Sequence, residues 1–293
     1  MSKQLEKLPV LQDVEIMSER IICVRGRNSG TFTLQGTNTY IVGSGRERLI
    51  IDTGDGNEGW ILSVKNVLRK HHISITMVLL THWHGDHTGG VPDLLKINPT
   101  LEGSIWKMDP DKGQQPILNG QIFHVEGATV QAIYTPGHSH DHMCFRLEDE
   151  NALFTGDTIL GHGSTAIEDL GAYTESLKKM QDLRCTDGYP GHGAHIDNLP
   201  GKISAELNQK LRREKSVLDA LRKVHSTSGD ISGIGRGLNV QELVVTMYGN
   251  IDEQLREKVL KPSVEQVLEK LMAEERVGWR IRGQEKGWFV VEV

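Results

Sequence analysis

Thr81-His82-Trp83-His84-Gly85-Asp86-His87 places three imidazoles and a carboxylate within six positions, His82 to His87. The string follows directly on Met77-Val78-Leu79-Leu80, an apolar run that reads as a buried strand. Nitrogen and oxygen donors of this kind are the ones zinc prefers. Histidines also cap helices or sit hydrogen-bonded on surfaces. What favours metal binding here is that other loops supply further donors of the same type.

Those loops follow one pattern. Upstream, Arg20 to Arg25, Thr39 to Val42 and Arg48 to Asp52 read as strands rich in Ile, Val and Leu, punctuated by Gly26, Gly43 and Gly45. A helix is predicted after Asp55-Gly56, through Trp60, Ile61, Val64 and Leu68. The strand Ile75 to Leu80 delivers the histidine string, and Gly89-Gly90 turns the backbone into a helix around Pro92 to Lys96. Downstream, Val130 to Tyr134 leads into Thr135-Pro136-Gly137-His138, and Ala152 to Phe154 into Thr155-Gly156-Asp157. Tyr189 leads into Pro190-Gly191-His192-Gly193. Each time a strand ends and a metal-type side chain follows in a glycine-containing loop. Donors at strand ends are held by a rigid frame while the loops stay open to a ligand.

From about Pro200 the texture changes, so two domains are expected, 1–200 and 201–293. A long charged helix (Ile203 to Val224) precedes a Gly/Ser-rich break at Ser226 to Gly237. Helices are predicted around Val240 to Tyr248 and Pro262 to Glu274. A terminal hairpin pairs Trp279 to Arg282 with Trp288 to Val291 across a turn at Gly283 to Gly287. This order resembles a small winged-helix unit. Residues 203–293, however, hold 15 basic and 14 acidic side chains, far from a nucleic-acid footprint.

Composition narrows the class. The chain has 293 residues and 37% hydrophobic content, with no long apolar run, so a soluble globular protein is expected. The formal net charge of -6 argues against general affinity for nucleic acid, whose binding rests on neutralising phosphates. Three widely spaced cysteines (Cys23, Cys144, Cys185) imply no disulfide framework, and Met1 to Pro9 lacks the apolar core of a signal peptide. The expected address is the cytoplasm, with no membrane partner. Composition leaves a homo-oligomer open.

The set His82, His84, Asp86, His87, His138, Asp157 and His192, in this order, resembles the metallo-β-lactamase-fold hydrolases over residues 15 to 200. The resemblance implies an α/β class protein, a four-layer αβ/βα sandwich with its metals at one edge of the paired sheets. It implies one zinc on His82, His84 and His138, a second on Asp86, His87 and His192, and Asp157 between them. Two neighbouring cations repel unless anions separate them; a carboxylate and a bridging hydroxide meet that need. Zinc lowers the pKa of bound water to about 7, so a nucleophile exists at neutral pH. Ligand type suits two Zn2+ but is compatible with Mn2+ or Fe2+. Asp86 is assigned the catalytic handling of the proton. Asp52 is assigned the orientation of a ligand loop through hydrogen bonds.

Within that fold, Thr33 to Tyr40, Asp141-His142-Met143 and Ile159-Leu160-Gly161-His162-Gly163 resemble one branch. That branch holds the fungal polyketide acyl-carrier-protein thioesterases and the lactamase-like endoribonucleases. The thioesterase is favoured, because Leu160 to Gly163 and Ala166 to Met180 look more like the polyketide enzymes of secondary metabolism. The implied partner is an acyl carrier protein domain of a non-reducing polyketide synthase. Cleavage of single-stranded RNA and a glyoxalase II-like glutathione thioesterase activity remain the alternatives. Thr37, Asn38, Trp83, His162 and Tyr173 are expected to rim the metals and contact substrate.

Overall fold

The computed structural model describes residues 8–227, 237–283 and 285–291. Contacts divide the chain into two compact units, Met1–Glu168 with Glu175–Ser204, and Asp169–Thr174 with Ala205–Val293. The short segment Asp169–Thr174 goes with the second unit, which a single boundary drawn at 200 from composition does not anticipate.

The first unit holds two sheets. β1 (Val14–Ile16), β2 (Ile21–Arg25), β3 (Asn38–Val42), β4 (Glu47–Ile51), β5 (Ser74–Leu79), β6 (Ile105–Lys107) and β7 (Gln115–Pro116) lie side by side in chain order. The pairs from β1 to β4 are antiparallel and those from β4 to β7 parallel. The second sheet runs in reverse chain order: β12 (Asp187–Pro190), β11 (Ala152–Gly156), β10 (Met143–Leu147), β9 (Ala128–Tyr134), β8 (Ile122–Val125). Only its β11–β12 pair is parallel.

The inner strands are apolar on both faces because each face has its own core. Ile21 and Cys23 of β2, Tyr40 and Val42 of β3, and Leu49 and Ile51 of β4 enter a core shared with Val130, Phe145 and Phe154 of the opposite sheet. The alternate residues Ile22, Val24, Ile41 and Ile50 turn the other way, onto Trp60, Val64 and Leu94. Strands buried on both sides read as continuous apolar runs rather than alternating ones. Trp60 and Val64 belong to α1 (Glu58–His71), capped by Asn57, whose side chain accepts from Gly59 N. α2 (Gly85–Thr88) is one turn, and Leu94 sits on α3 (Val91–Ile97). On the outer side of the second sheet, α4 (Leu170–Asp182) donates from Ser176 Oγ to Pro136 O and from Lys179 Nζ to Tyr134 O. Four layers result, α/β/β/α.

β1, β6, β7, β8 and β10 have no counterpart in the sequence reading. β6 and β7 are only three and two residues long, too short to show a period.

α5 (Leu199–Thr227) is longer than the expected Ile203 to Val224, and the Gly/Ser-rich break after it lies largely outside the described residues. Beyond it, α6 (Val240–Tyr248) opens on a reciprocal cap between Asn239 and Glu242. α7 (Glu253–Leu255) continues through a π turn into α8 (Lys261–Ala273), whose Val264, Val267, Leu268 and Leu271 are buried. β13 (Val277–Arg282) and β14 (Glu285–Val290) close the chain. Their turn is tighter than the predicted Gly283 to Gly287, since pairing reaches Arg282 and Glu285. Lys286 lies over the Trp279 ring, 4.7 Å from its centroid, and favours the extra register. Among the described residues no helix is long and apolar enough to cross a membrane.

Candidate metal centre

Five strands of the first unit end at one edge. Asp52 follows β4, the histidine string follows β5, His138 follows β9, Asp157 follows β11, and His192 follows β12. The carboxyl ends of strands are where α/β sheets place ligands, because the loops there diverge around a crevice.

Three imidazoles meet first. His82 Nε2 is 2.9 Å from His84 Nδ1, and His138 Nε2 is 3.2 Å from His82 Nε2 and 3.1 Å from His84 Nδ1. The outer nitrogens of His82 and His138 are spoken for. His138 Nδ1 lies 2.9 Å from Ala166 O, which can only accept, so it carries the proton. Thr81 Oγ1 gives its own proton to Asp52 Oδ2 at 2.8 Å and so accepts from His82 Nδ1 at 2.9 Å. That leaves lone pairs on the Nε2 atoms of His82 and His138, aimed at a common point. Burial, reinforced by the neighbouring histidines, holds His82 well below the ordinary imidazole value and lowers His84 too. Neutral imidazoles with converging lone pairs repel one another unless a cation lies between them.

The second set is richer in charge. Asp86 Oδ2 is 3.2 Å from His192 Nε2 and 3.5 Å from His87 Nε2. Asp157 reaches both sets, Oδ1 at 3.4 Å from His87 Nε2 and Oδ2 at 3.2 Å from His192 Nε2 and 3.7 Å from His138 Nε2. Burial alone would raise Asp86, yet the hydrogen bond from His192 and the nearby charges bring it to about 2. Burial would lower His192, but Asp157 and Asp86 outweigh it and lift its pKa to about 9. Asp157 and Asp52 likewise overcome burial and hold His87 well above the usual value. These carboxylates stabilise positive charge at this place, as a proton or as a metal ion. Asp157 Oδ1 and His192 Nδ1 are buried without a hydrogen-bond partner among the described residues.

His82, His84 and His138 thus form one possible ligand set, Asp86, His87 and His192 another, and His82, His87 and Asp157 a set joining them. The donors suit a divalent cation. Glycine keeps the space clear. A Cβ on Gly191 would lie 2.3 Å from Asp157 Oδ1 and 2.9 Å from His87 Cε1.

The expected substrate residues divide. His162 lines a cavity of about 600 Å³ that opens on His84, Asp86, His138, Asp157 and His192. Thr37 and Asn38 are fully buried, and their side chains bond the ligand loops: Thr37 to Asp86, Asn38 to Pro190 O and Gly193 O. Trp83 is 47% exposed, packs its ring against His84, and is not among the cavity-lining residues. Tyr173 is buried in the second unit with Lys210 over its ring. Sequence reasoning missed Leu8, Phe32 and Leu34, which give the cavity apolar walls; a loop phenylalanine carries no periodic signal. His142, which the sequence shows only within Asp141-His142-Met143, also serves the site. This buried imidazole accepts from Asp157 N at 3.0 Å and so fixes the loop that carries the carboxylate.

The family model of the metallo-beta-lactamase superfamily matches residues 32–192, which contain every one of these donors. The chain belongs to the metallo-beta-lactamase superfamily. Within the superfamily it is 53% identical over 290 residues to an atrochrysone carboxyl ACP thioesterase of Aspergillus terreus, spanning 98% of this chain and 90% of the relative. An atrochrysone carboxyl ACP thioesterase of Paecilomyces divaricatus is 51% identical over 292 residues, 99% of this chain and 92% of the relative. Among solved structures, a beta-lactamase domain protein from Burkholderia ambifaria covers 99% of this chain and 98% of its own at a TM-score of 0.69 and 16% identity. A metallo-beta-lactamase family protein from Thermus thermophilus gives a TM-score of 0.62 at 19% identity, over 97% of this chain and 100% of its own. At those identities the likeness is one of fold.

Proposed function

We propose that the protein hydrolyses an acyl thioester borne by an acyl carrier protein domain of a non-reducing polyketide synthase. Two zinc ions would be held by His82, His84 and His138 and by Asp86, His87 and His192, with Asp157 between them. One observation carries the reading: seven donors converge, five of them lining one cavity, in a chain about half identical over nearly its whole length to proteins named as such thioesterases. The same donors are compatible with Mn2+ or Fe2+.

A divalent metal pair supplies activated water at neutral pH and stabilises the developing charge on the carbonyl oxygen. The chain's residues do the rest. Asp157 places a negative charge between the two ligand sets and keeps them at fixed separation. Asp86, ionised and 27% exposed at its side chain toward the cavity, takes the proton of the attacking water. Leu8, Phe32, Leu34 and Leu160 offer the acyl chain an apolar wall. A thiol leaves readily as thiolate, so no general acid is needed opposite Asp86. Catalysis belongs to residues 1–200 in this reading. A reducing cytoplasm accords with Cys23, Cys144 and Cys185, all free and buried.

The test is a side-by-side assay of the purified protein and Asp157→Ala, given a carrier-protein-bound polyketide acyl chain and a single-stranded RNA. Metal-dependent release of the acid, lost in the variant, is expected. RNA cleavage without thioester release would overturn the proposal.

A further inference from the structure

Thr37 is buried at 0% exposure, yet its hydroxyl lies 3.3 Å from Asp86 Oδ2, the oxygen that faces His87 and His192. Asn28 decides which way that hydroxyl points. The Thr37 backbone N–H donates to Asn28 Oδ1 at 2.8 Å, which fixes the amide oxygen on that side. Asn28 Nδ2 is therefore the group 3.0 Å from Thr37 Oγ1, and an amide nitrogen can only donate. With its oxygen accepting from Asn28, the Thr37 hydroxyl directs its proton to Asp86. The amide is boxed in. A Cβ on Gly26 would stand 2.7 Å from Asn28 Oδ1, and one on Gly36 3.1 Å from it. The Thr37 backbone is fixed as well, through a bridge to His192, and Asn38 N donates to Gly191 O at 2.7 Å.

We propose that Asn28 and Thr37 are positioning residues: a hydrogen-bond relay of set polarity, Asn28 to Thr37 to Asp86, that orients the Asp86 carboxylate for the second metal position. The inference rests on the two-ion reading above. It concerns neither the acyl substrate nor the carrier. The relay restricts rotation of a partly exposed carboxylate that has no other side-chain hydroxyl bonded to it among the described residues. Outer hydrogen bonds of this kind typically tune metal affinity about 10- to 100-fold.

Asn28→Asp separates the relay from bulk electrostatics. The aspartate keeps an acceptor for Thr37 N but cannot donate, so the Thr37 hydroxyl turns its proton to residue 28 and its lone pairs to Asp86. An added negative charge near a cation site strengthens binding by Coulomb attraction alone. The relay requires the opposite. Zinc equivalents and their affinities would be measured by competition with a chromophoric chelator on wild type, Asn28→Asp, Thr37→Val and Thr37→Ser. Cobalt absorption spectra would report the coordination geometry, and thermal melts would confirm folding. Asn28→Asp and Thr37→Val are expected to weaken one equivalent about tenfold or more, with the other unchanged and Thr37→Ser near wild type. Unchanged or tighter binding by Asn28→Asp, or a Thr37→Ser as weak as Thr37→Val, overturns the relay. A wild type that takes up a single ion defeats the two-ion reading, and an unchanged affinity of Asn28→Asp for that ion defeats the relay with it.

Discussion

Asp52 Oδ2 accepts the Nδ1 proton of His87 at 2.7 Å, with both side chains buried. The same carboxylate accepts from Thr81 N and Thr81 Oγ1, and Thr81 in turn takes the Nδ1 proton of His82. One carboxylate therefore sets the ring orientation of a histidine in each ligand set. Asp52→Asn would turn a donor toward His87 Nδ1 and reverse its tautomer. Metal affinity should fall about 10- to 100-fold at both positions, read by chelator competition, with far-ultraviolet circular dichroism unchanged. Loss confined to one position would count against the shared role.

Metal uptake should depend on pH with a definite sign. His192 has its pKa raised to about 9 by Asp157 and Asp86, so in chelator-treated protein it is protonated at neutral pH. A metal must displace that proton to reach Nε2. Apparent affinity should therefore rise with pH up to about 9, by about tenfold per unit for each proton displaced. Calorimetry in two buffers of different ionisation enthalpy would count the protons released. A release of zero at pH 7 would contradict the arrangement.

Gly191→Ala tests how tightly the centre is packed. The new methyl would stand 2.3 Å from Asp157 Oδ1, inside any real contact distance. Neither Asp157 nor His87 is the free end of a flexible chain, so the ligands must shift. A misplacement of about 1 Å can cost about 100-fold in turnover, and a loss of that order is expected. Thioester hydrolysis under saturating metal would measure it, and wild-type kcat would show that the loops yield without consequence.

Stability in the second unit should hinge on Glu214. It is 7% exposed and bonds both Lys270, at 2.7 Å, and Arg276. Removing one partner of a buried ion pair leaves charge without compensation and typically costs about 3–5 kcal/mol. Glu214→Ala should lower the urea midpoint accordingly, with the exposed side of Arg276 softening the loss toward the lower figure. A change below about 1 kcal/mol would place this triad with ordinary surface pairs.

Much of this protein was readable from the chain because its strands are simple. Ile21 to Arg25, Asn38 to Val42 and Glu47 to Ile51 are short apolar runs bounded by glycine, and local chemistry alone marks them. The donors were readable because each follows a strand end. The roles of Thr37, Asn38, Trp83 and Tyr173 were not. Exposure and hydrogen-bond polarity come from groups distant in the chain, as when Asn38 reaches Pro190 O. The apolar cavity wall was equally hidden, since Leu8, Phe32 and Leu34 stand in irregular segments without a period.

The sequence by itself determined the chemistry on offer: which residues can donate to a cation, and that each is delivered at the end of a strand. Only the tertiary structure decided where those donors point and what holds them. Convergence of His82, His138, Asp157 and His192 is a property of two sheets brought face to face by their shared apolar core. Tautomers and carboxylate orientation are fixed by buried partners such as Asp52, Thr81 and Asn28. Those partners are remote in the chain or carry no motif, and a hydrogen bond acts only across the few ångströms that folding creates.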